Sequence, residues 1–225
     1  MENTNNENKS GLLSGLYNAL IAGITIKRVA FAFLGEILVA FAIGLGLAAG
    51  LGVDAATAMF SAINEATGIP YGTVHIIMTV IFITIDIILY RRVLGLGSLI
   101  NLFLLGYAID FFKSIFIGVI NSESLLVFRI IALVISIIVI SLGISLYQHA
   151  DIGFGPYDAI SFILDKKTKL KYLWCRIITD GTCAIVTVLL GGLLGIGTII
   201  YTFFLGPFIS FFDKFVSDKI MPYRQ

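Results

Sequence analysis

LGLGSLINLFLLGYAIDFF at residues 94–112 returns as LGIGTIIYTFFLGPFISFF at residues 194–212. Leu94, Gly95, Gly97, Ile100, Phe103, Leu105, Gly106, Ile109, Phe111 and Phe112 each recur 100 positions later, and Ser98 is answered by Thr198. Upstream the match continues with a slip of one residue: Arg28 answers Arg129, Gly52 answers Gly153 and Tyr71 answers Tyr172. The chain is therefore internally duplicated. Each copy is expected to hold three membrane-spanning helices. An odd number sends the second copy into the membrane from the opposite side, which makes an inverted-topology repeat.

Composition places the repeat in lipid. The 225 residues are 58% hydrophobic and only 13% charged, against about 25% charged in soluble domains, and the mean hydropathy is +1.01. A spanning helix needs roughly 20 mostly apolar residues. Six such stretches are read, at 29–50, 70–90, 98–118, 127–148, 172–192 and 197–216. The predicted fold is an all-α polytopic membrane protein of six transmembrane helices in one membrane domain. Residues 29–120 form the first repeat, 121–216 the second, and 217–225 a cytoplasmic tail. The polar start, MENTNNENKS, reads as disordered, and residues 11–25 as a helix lying in the interface, so 1–28 precede the repeats. A net charge of +1 with no basic block gives no reason to expect a nucleic-acid partner.

Lys and Arg resist translocation. With the N-terminus inside, Lys9, Lys27, Arg28, Arg91, Arg92, Lys166, Lys167, Lys169, Lys171, Lys214, Lys219 and Arg224 are cytoplasmic, whereas Lys113 and Arg129 fall outside. Both termini are thus expected in the cytoplasm of a bacterial-type plasma membrane. The Lys166–Lys171 cluster fixes topology and is placed to touch anionic lipid.

Within each copy a polar, Gly-containing elbow follows the first span: GLGVDAAT at 50–57 and DIGFGPYDA at 151–159. A short helix follows each, near 55–67 and 156–166. Pro156 suits the first helical position and Asp158 the first turn, where an acid meets the helix's partial positive charge. Ser98 and Thr198 read as N-caps of the third spans. Arg129, Gly143, IGFGPYDA at 152–159, GIGT at 195–198 and FLGPFI at 204–209 together resemble the YczE/YyaS/YitT-type bacterial integral membrane proteins. The resemblance runs from Arg28 onward and implies the same helical membrane fold. The second copy fits it better, because Ala55, Ala56 and Thr57 stand in the first where Pro156, Tyr157 and Asp158 stand in the second. The family's members are presumed transporters or accessory factors, so the resemblance carries fold further than function.

A carboxylate central in a membrane helix costs about 2.5–3.5 kcal/mol to insert. Glu36, Asp86 and Asp180 therefore stand out. At 1.5 Å per residue, counted from Arg28, Lys171 and Arg91, they lie about 12, 13 and 8 Å deep for Glu36, Asp180 and Asp86. All three fall in the cytoplasmic half, and one polar cavity is expected to take them. Arg176, one turn from Asp180, is its expected partner. Gly153, Gly155, Pro156 and Asp158 join them as candidate substrate-lining residues, since elbows entering the membrane expose helix N-termini that can receive an anion. His75 and His149 read as wetted interfacial residues. Cys175 and Cys183, eight apart on one helix, read as small core residues that cannot form a disulfide. The glycines Gly44, Gly46 and Gly50 read as packing positions.

No Walker loop, zinc motif, GxSxG elbow or CxxC pair occurs, so no metal, no cofactor and no enzymatic activity are expected. The functional expectation is a secondary transporter or exporter of a small solute, coupled if at all to H⁺ or Na⁺. The alternative is a non-transporting accessory protein that supports a biosynthetic or secretion partner. The expected partners are the lipid bilayer, a small solute and, given the small size, a second copy in a homodimer.

Overall fold

The computed structural model describes residues 24–90, 93–120, 124–170, 172–192 and 194–221. The expected disordered start and most of the interfacial helix lie outside them. Eight helices make up the described residues, without a strand: α1 (Ile26–Ala49), α2 (Ala55–Thr67), α3 (Tyr71–Tyr90), α4 (Leu96–Ile117), α5 (Leu126–His149), α6 (Pro156–Lys167), α7 (Tyr172–Leu189) and α8 (Ile196–Ile220). Five of them, α1, α3, α4, α5 and α8, are long and apolar enough to cross a membrane. Helix α7 is 18 residues long and carries Arg176 and Asp180 in its first half. Helix α8 runs past the expected end at 216, through a π-helical segment at Asp213–Ser217. Its last turn is held by the Lys27 ammonium, which donates to the Ile220 carbonyl at 3.1 Å.

The long helices turn apolar side chains outward, among them Phe33, Phe103, Phe111, Phe128, Phe203 and Phe211. Such a surface suits hydrocarbon, and the polar residues are left to the interior. Helices α1 and α5 form the central pair. They cross at Gly35 and Gly143, where an added Cβ on either would come within 2.8 Å of the other's carbonyl oxygen. The packing reading holds for Gly44 and Gly46, whereas Gly50 (φ +62°) ends α1 in the left-handed conformation. Gly44 has the same use against α4, where Phe112 and Lys113 leave no room for a side chain.

The two copies are interleaved. The Arg28 guanidinium of the first donates to the Ala150 carbonyl at the end of α5, at 2.8 Å. Its repeat mate Arg129 donates to the Ala49 and Gly50 carbonyls at the end of α1, at 2.6 and 2.8 Å. Each arginine therefore caps the other copy's first helix, where a cation meets the negative end of the helix dipole. The elbows are exchanged in the same way. Gly197 N–H donates to the Leu51 carbonyl at 2.8 Å, and Gly97 N–H to the Ile152 carbonyl at 2.7 Å. Helix α2 packs on α7, and α6 on α3.

Glycine is required where elbow meets turn. Gly52 (φ +108°) and Gly153 (φ +118°) take backbone conformations closed to L side chains, and a Cβ on either would meet Gly195 or Gly95 within 2.9 Å. The same close approach displaces the expected caps. Gly95 and Gly195, in extended conformation, precede the first turns of α4 and α8. Ser98 and Thr198 sit three residues on, because the elbow presses on the chain ahead of them. The Ser98 hydroxyl accepts from Gly95 N–H at 3.3 Å and donates to the Phe154 carbonyl at 2.7 Å.

Gly68 (φ +72°) also lies in the left-handed region but has open space around it, so it isolates the conformational cost. Gly68→Ala should cost about 1 kcal/mol. Gly52→Ala and Gly153→Ala should each cost at least twice that in thermal unfolding of detergent-purified protein. Equal losses at all three positions would mean that the seam between elbow and turn is not tight.

Candidate functional site

The polar residues gather where the elbows enter. Gly155 precedes α6 with Pro156 in its first turn, as read from the sequence, and Asp158 lies within that turn. On α7, Arg176 donates to both neighbours. Its Nε lies 3.2 Å from Asp180 Oδ1, its own i+4 neighbour, and its Nη1 bonds Asp158 across the helix interface. The guanidinium also lies over the Tyr157 ring, 4.8 Å from the centroid. The Tyr157 hydroxyl donates to Asp180. One cation is thus clamped by two carboxylates and an aromatic face, partly open to solvent on all sides.

A chamber of about 100 Å³ lies beside this cluster and is lined from every helix. Glu36 and Asn101 face it from α1 and α4, and Asn101 Nδ2 donates to Glu36 Oε1 at 3.0 Å. Asp54, Thr57, His75, Thr79, Tyr147, Tyr157, Asp158 and Arg176 add to its polar lining, while Phe60, Tyr71 and Phe82 supply aromatic wall. Tyr147 is only 5% exposed, and its hydroxyl is buried with no partner among the described residues. The same is true of one Asp54 oxygen, Oδ2.

A second, larger cavity of about 760 Å³ adjoins it. Asp54, Asp158 and Arg176 line both, and Asp180, Gln148, Tyr201, Ser210 and Asp213 line the outer one alone. The chamber and the vestibule therefore meet at the ionic cluster. Of the residues expected at the site, Glu36, Arg176, Gly155, Pro156, Asp158 and Asp180 line one or both cavities. Gly153 holds the elbow against Gly95.

Asp86 does not join them, contrary to the expectation of one shared cavity. It lies on the same stripe of α3 as His75, Thr79 and Phe82, but one turn beyond Phe82, whose ring meets Tyr157 at 5.7 Å. Asp86 is fully buried, with both carboxyl oxygens unpartnered among the described residues.

Neither histidine is wet. His75 is packed edge-on against Phe60, with ring centroids 5.7 Å apart. His149, 1% exposed, bonds the Ser145 carbonyl through Nδ1 and Asp218 through Nε2, each at 2.9 Å. The prolonged last helix supplies Asp218, and an α8 ending at 216 hid that partner. Cys175 and Cys183 are buried free thiols, as expected.

Sequence reasoning passed over Asp54, Asn101 and Tyr147. Asp54 carried a signal, since it stands three residues before Thr57 and caps α2 by accepting from its N–H at 3.1 Å. Burial pushes the Asp54 carboxyl above its ordinary range, against the Thr57 hydrogen bonds and Arg176, which pull it down. Asn101 was legible as an amide inside an apolar span. Nothing local marked Tyr147. Among the described residues no group of three or more His, Cys, Asp or Glu side chains has the arrangement to hold a metal ion.

An all-helical protein with an apolar exterior and charged residues lining an internal cavity defines a polytopic membrane protein. The chain belongs to the family of unknown function DUF6198, which matches residues 26–214. It is similar to the uncharacterized membrane protein YczE of Bacillus subtilis (strain 168), with 27% identity over 187 residues, 83% of this chain and 85% of the relative. The uncharacterized protein YyaS of the same organism is 25% identical over 167 residues, covering 74% of this chain and 83% of the relative. An uncharacterized Haemophilus influenzae protein is 27% identical over 124 residues, 55% of each chain. No solved structure matches.

The ionic cluster makes a measurable claim. In a double-mutant cycle, Asp158→Asn with Arg176→Gln should show a coupling of about 1 kcal/mol or more in thermal unfolding. The partial exposure of the pair keeps that below the value of a fully buried one. A coupling near zero would place the Arg176–Asp158 pair among inert surface pairs.

Proposed function

We propose that this protein is a six-span secondary transporter of a small solute, with α7 as the sixth span, and that its two copies are inverted repeats that alternate in exposing the central chamber. On this reading both termini face the cytoplasm of a bacterial-type plasma membrane. The duplication, the biased lysines and arginines, and the exchanged elbows support the topology.

One observation carries the transport reading: repeat-related seams are in different states. In the first copy α3 packs tightly on α4. Gly72 and His75 press against Gly106, where a Cβ would come within 2.7 Å of His75 Cβ, and Asp110 accepts from Gly72 N–H at 2.7 Å. In the second copy α7 and α8 stand apart, and the mate of Gly106, Gly206, has nothing within 4 Å of a Cβ position. The vestibule occupies that gap. Near-equivalent halves, one shut and one open, are what rocking between two states requires. In the proposed orientation the open side is the cytoplasmic one. The opposite state follows by closing α7 on α8 and parting α3 from α4.

Thiol labelling tests this. In a Cys175→Ala, Cys183→Ala background, Thr202→Cys on the open seam should react quickly with an impermeant maleimide from the cytoplasmic face. Its repeat mate Leu102→Cys, buried in the closed seam, should react slowly, from the outside only, as the minor state is visited. If Leu102→Cys remains unlabelled while its unfolded form reacts, the protein does not alternate and the transport reading is lost.

A further inference from the structure

We infer that the solute is an organic ammonium ion with an apolar body, its charged head received in the central chamber, whose wall includes Asp54 and Tyr147. The inference rests on the transport reading for direction and release, and on the chamber for recognition.

The chamber's set of ionisable groups favours a cation. Three carboxyl groups, Glu36, Asp54 and Asp158, line it against the one guanidinium of Arg176. That guanidinium is already engaged by Asp158 and Asp180. Glu36 is met by a neutral amide, and Asp54 by the neutral Thr57, with Oδ2 left without a partner among the described residues. An anionic solute would have to displace Asp158 or Asp180 from Arg176 and then sit among the remaining carboxyl groups. Nor are the elbow helices vacant anion sites, since Asp54 caps α2 and Asp158 occupies the first turn of α6.

The independent sign is the Tyr147 hydroxyl. Tyr147 lines the chamber, and its hydroxyl is buried with no partner among the described residues. A buried polar group without a partner costs about 1–3 kcal/mol, a cost that a bound ligand relieves. An ionised carboxyl accepts only, while the Tyr147 hydroxyl can accept as well as donate, so an ammonium N–H is the donor that Asp54 Oδ2 lacks and one that the hydroxyl oxygen can also take. A primary or secondary ammonium supplies two or three such N–H bonds, whereas a quaternary one supplies none.

The rest of the wall agrees with an apolar body. Phe60, Tyr71, Phe82 and Tyr157 present aromatic surface, and Val39, Ile43, Leu105 and Ile140 aliphatic surface. Aromatic faces also attract cations. The protein already makes such a contact in the Arg176 guanidinium over Tyr157. A volume of about 100 Å³ takes a head group with a few carbon atoms, and the adjoining vestibule takes whatever extends beyond it.

The test compares three probes of one shape on the full-length purified protein: benzylammonium, benzyl alcohol and benzoate. Ligand binding raises thermal stability by mass action. Benzylammonium should raise the melting temperature in a concentration-dependent manner, with the other two inert. Asp54→Asn should abolish the shift, and Tyr147→Phe should weaken the apparent affinity by about tenfold, the value of one hydrogen bond to a charged group. Both variants remove no packing volume, and their melting without ligand serves as the folding control. Should either melt early, equilibrium binding of radiolabelled benzylammonium below its transition replaces the thermal shift. Stabilisation by benzoate, an equal response to all three probes, or no response to benzylammonium would each overturn the assignment. The labelling experiment separates the two claims. Amine binding without alternation removes transport and keeps the site, and alternation without amine binding does the reverse.

Discussion

Everything in this protein hangs on the need to satisfy backbone groups where helices break inside an apolar chain. Lipid offers no hydrogen bonds, so each interruption must find partners within the protein. The chain breaks after α1 and α5 and again before α4 and α8. It answers all four breaks with one exchanged device. Each elbow carbonyl takes the N–H of the other copy's Gly-x-Gly turn, and each first-span C-terminus takes the other copy's arginine. The fit is close enough that Gly52 and Gly153 tolerate no side chain against Gly195 and Gly95. Each copy therefore relies on the other for these bonds. Short helices α2 and α6 are delivered to the centre, which is why a chamber exists there and why every helix contributes to its wall.

Duplication set up the two halves, and divergence made them different. His75, Thr79 and Thr57 of the first copy correspond to Arg176, Asp180 and Asp158 of the second. The neutral set packs, with His75 against Phe60 and Gly106. The charged set forms an ion cluster whose side chains stay partly exposed, and removing such charges from water costs several kcal/mol per ion. A closed seam and an open one result from the same backbone plan. In the proposed mechanism that difference decides which seam rests open.

Much of this architecture was legible in order of residues alone. Apolar runs long enough to span announced α1, α3, α4, α5 and α8, and the 100-residue echo announced that elbows and turns come in pairs. Pro156 and Asp158 read correctly as the opening of α6, and Arg176 with Asp180 as an i,i+4 pair, because such features depend only on helix geometry. The reading failed where a partner came from far away. Ser98 reads as a cap, but the elbow's approach sets the helix start back at Gly95. His149 reads as wet, but the prolonged α8 brings Asp218 to it. Asp86 reads as a companion of Glu36 and Asp180, although it lies a turn beyond the chamber's end.

The sequence by itself determined the class of protein, the duplication, the positions of the breaks and the local pairing along single helices. Hydropathy, spacing and glycine's freedom at positive φ act over a few residues and leave their mark in the order of the chain. Only the tertiary structure decided that Glu36, Asp54, Asn101, Tyr147, Asp158 and Arg176 share one chamber. That choice depends on the rotation of each helix about its own axis and on how deeply each elbow enters. Both are set by the crossing of α1 and α5 at Gly35 and Gly143 and by the exchanged hydrogen bonds, between residues far apart in the chain.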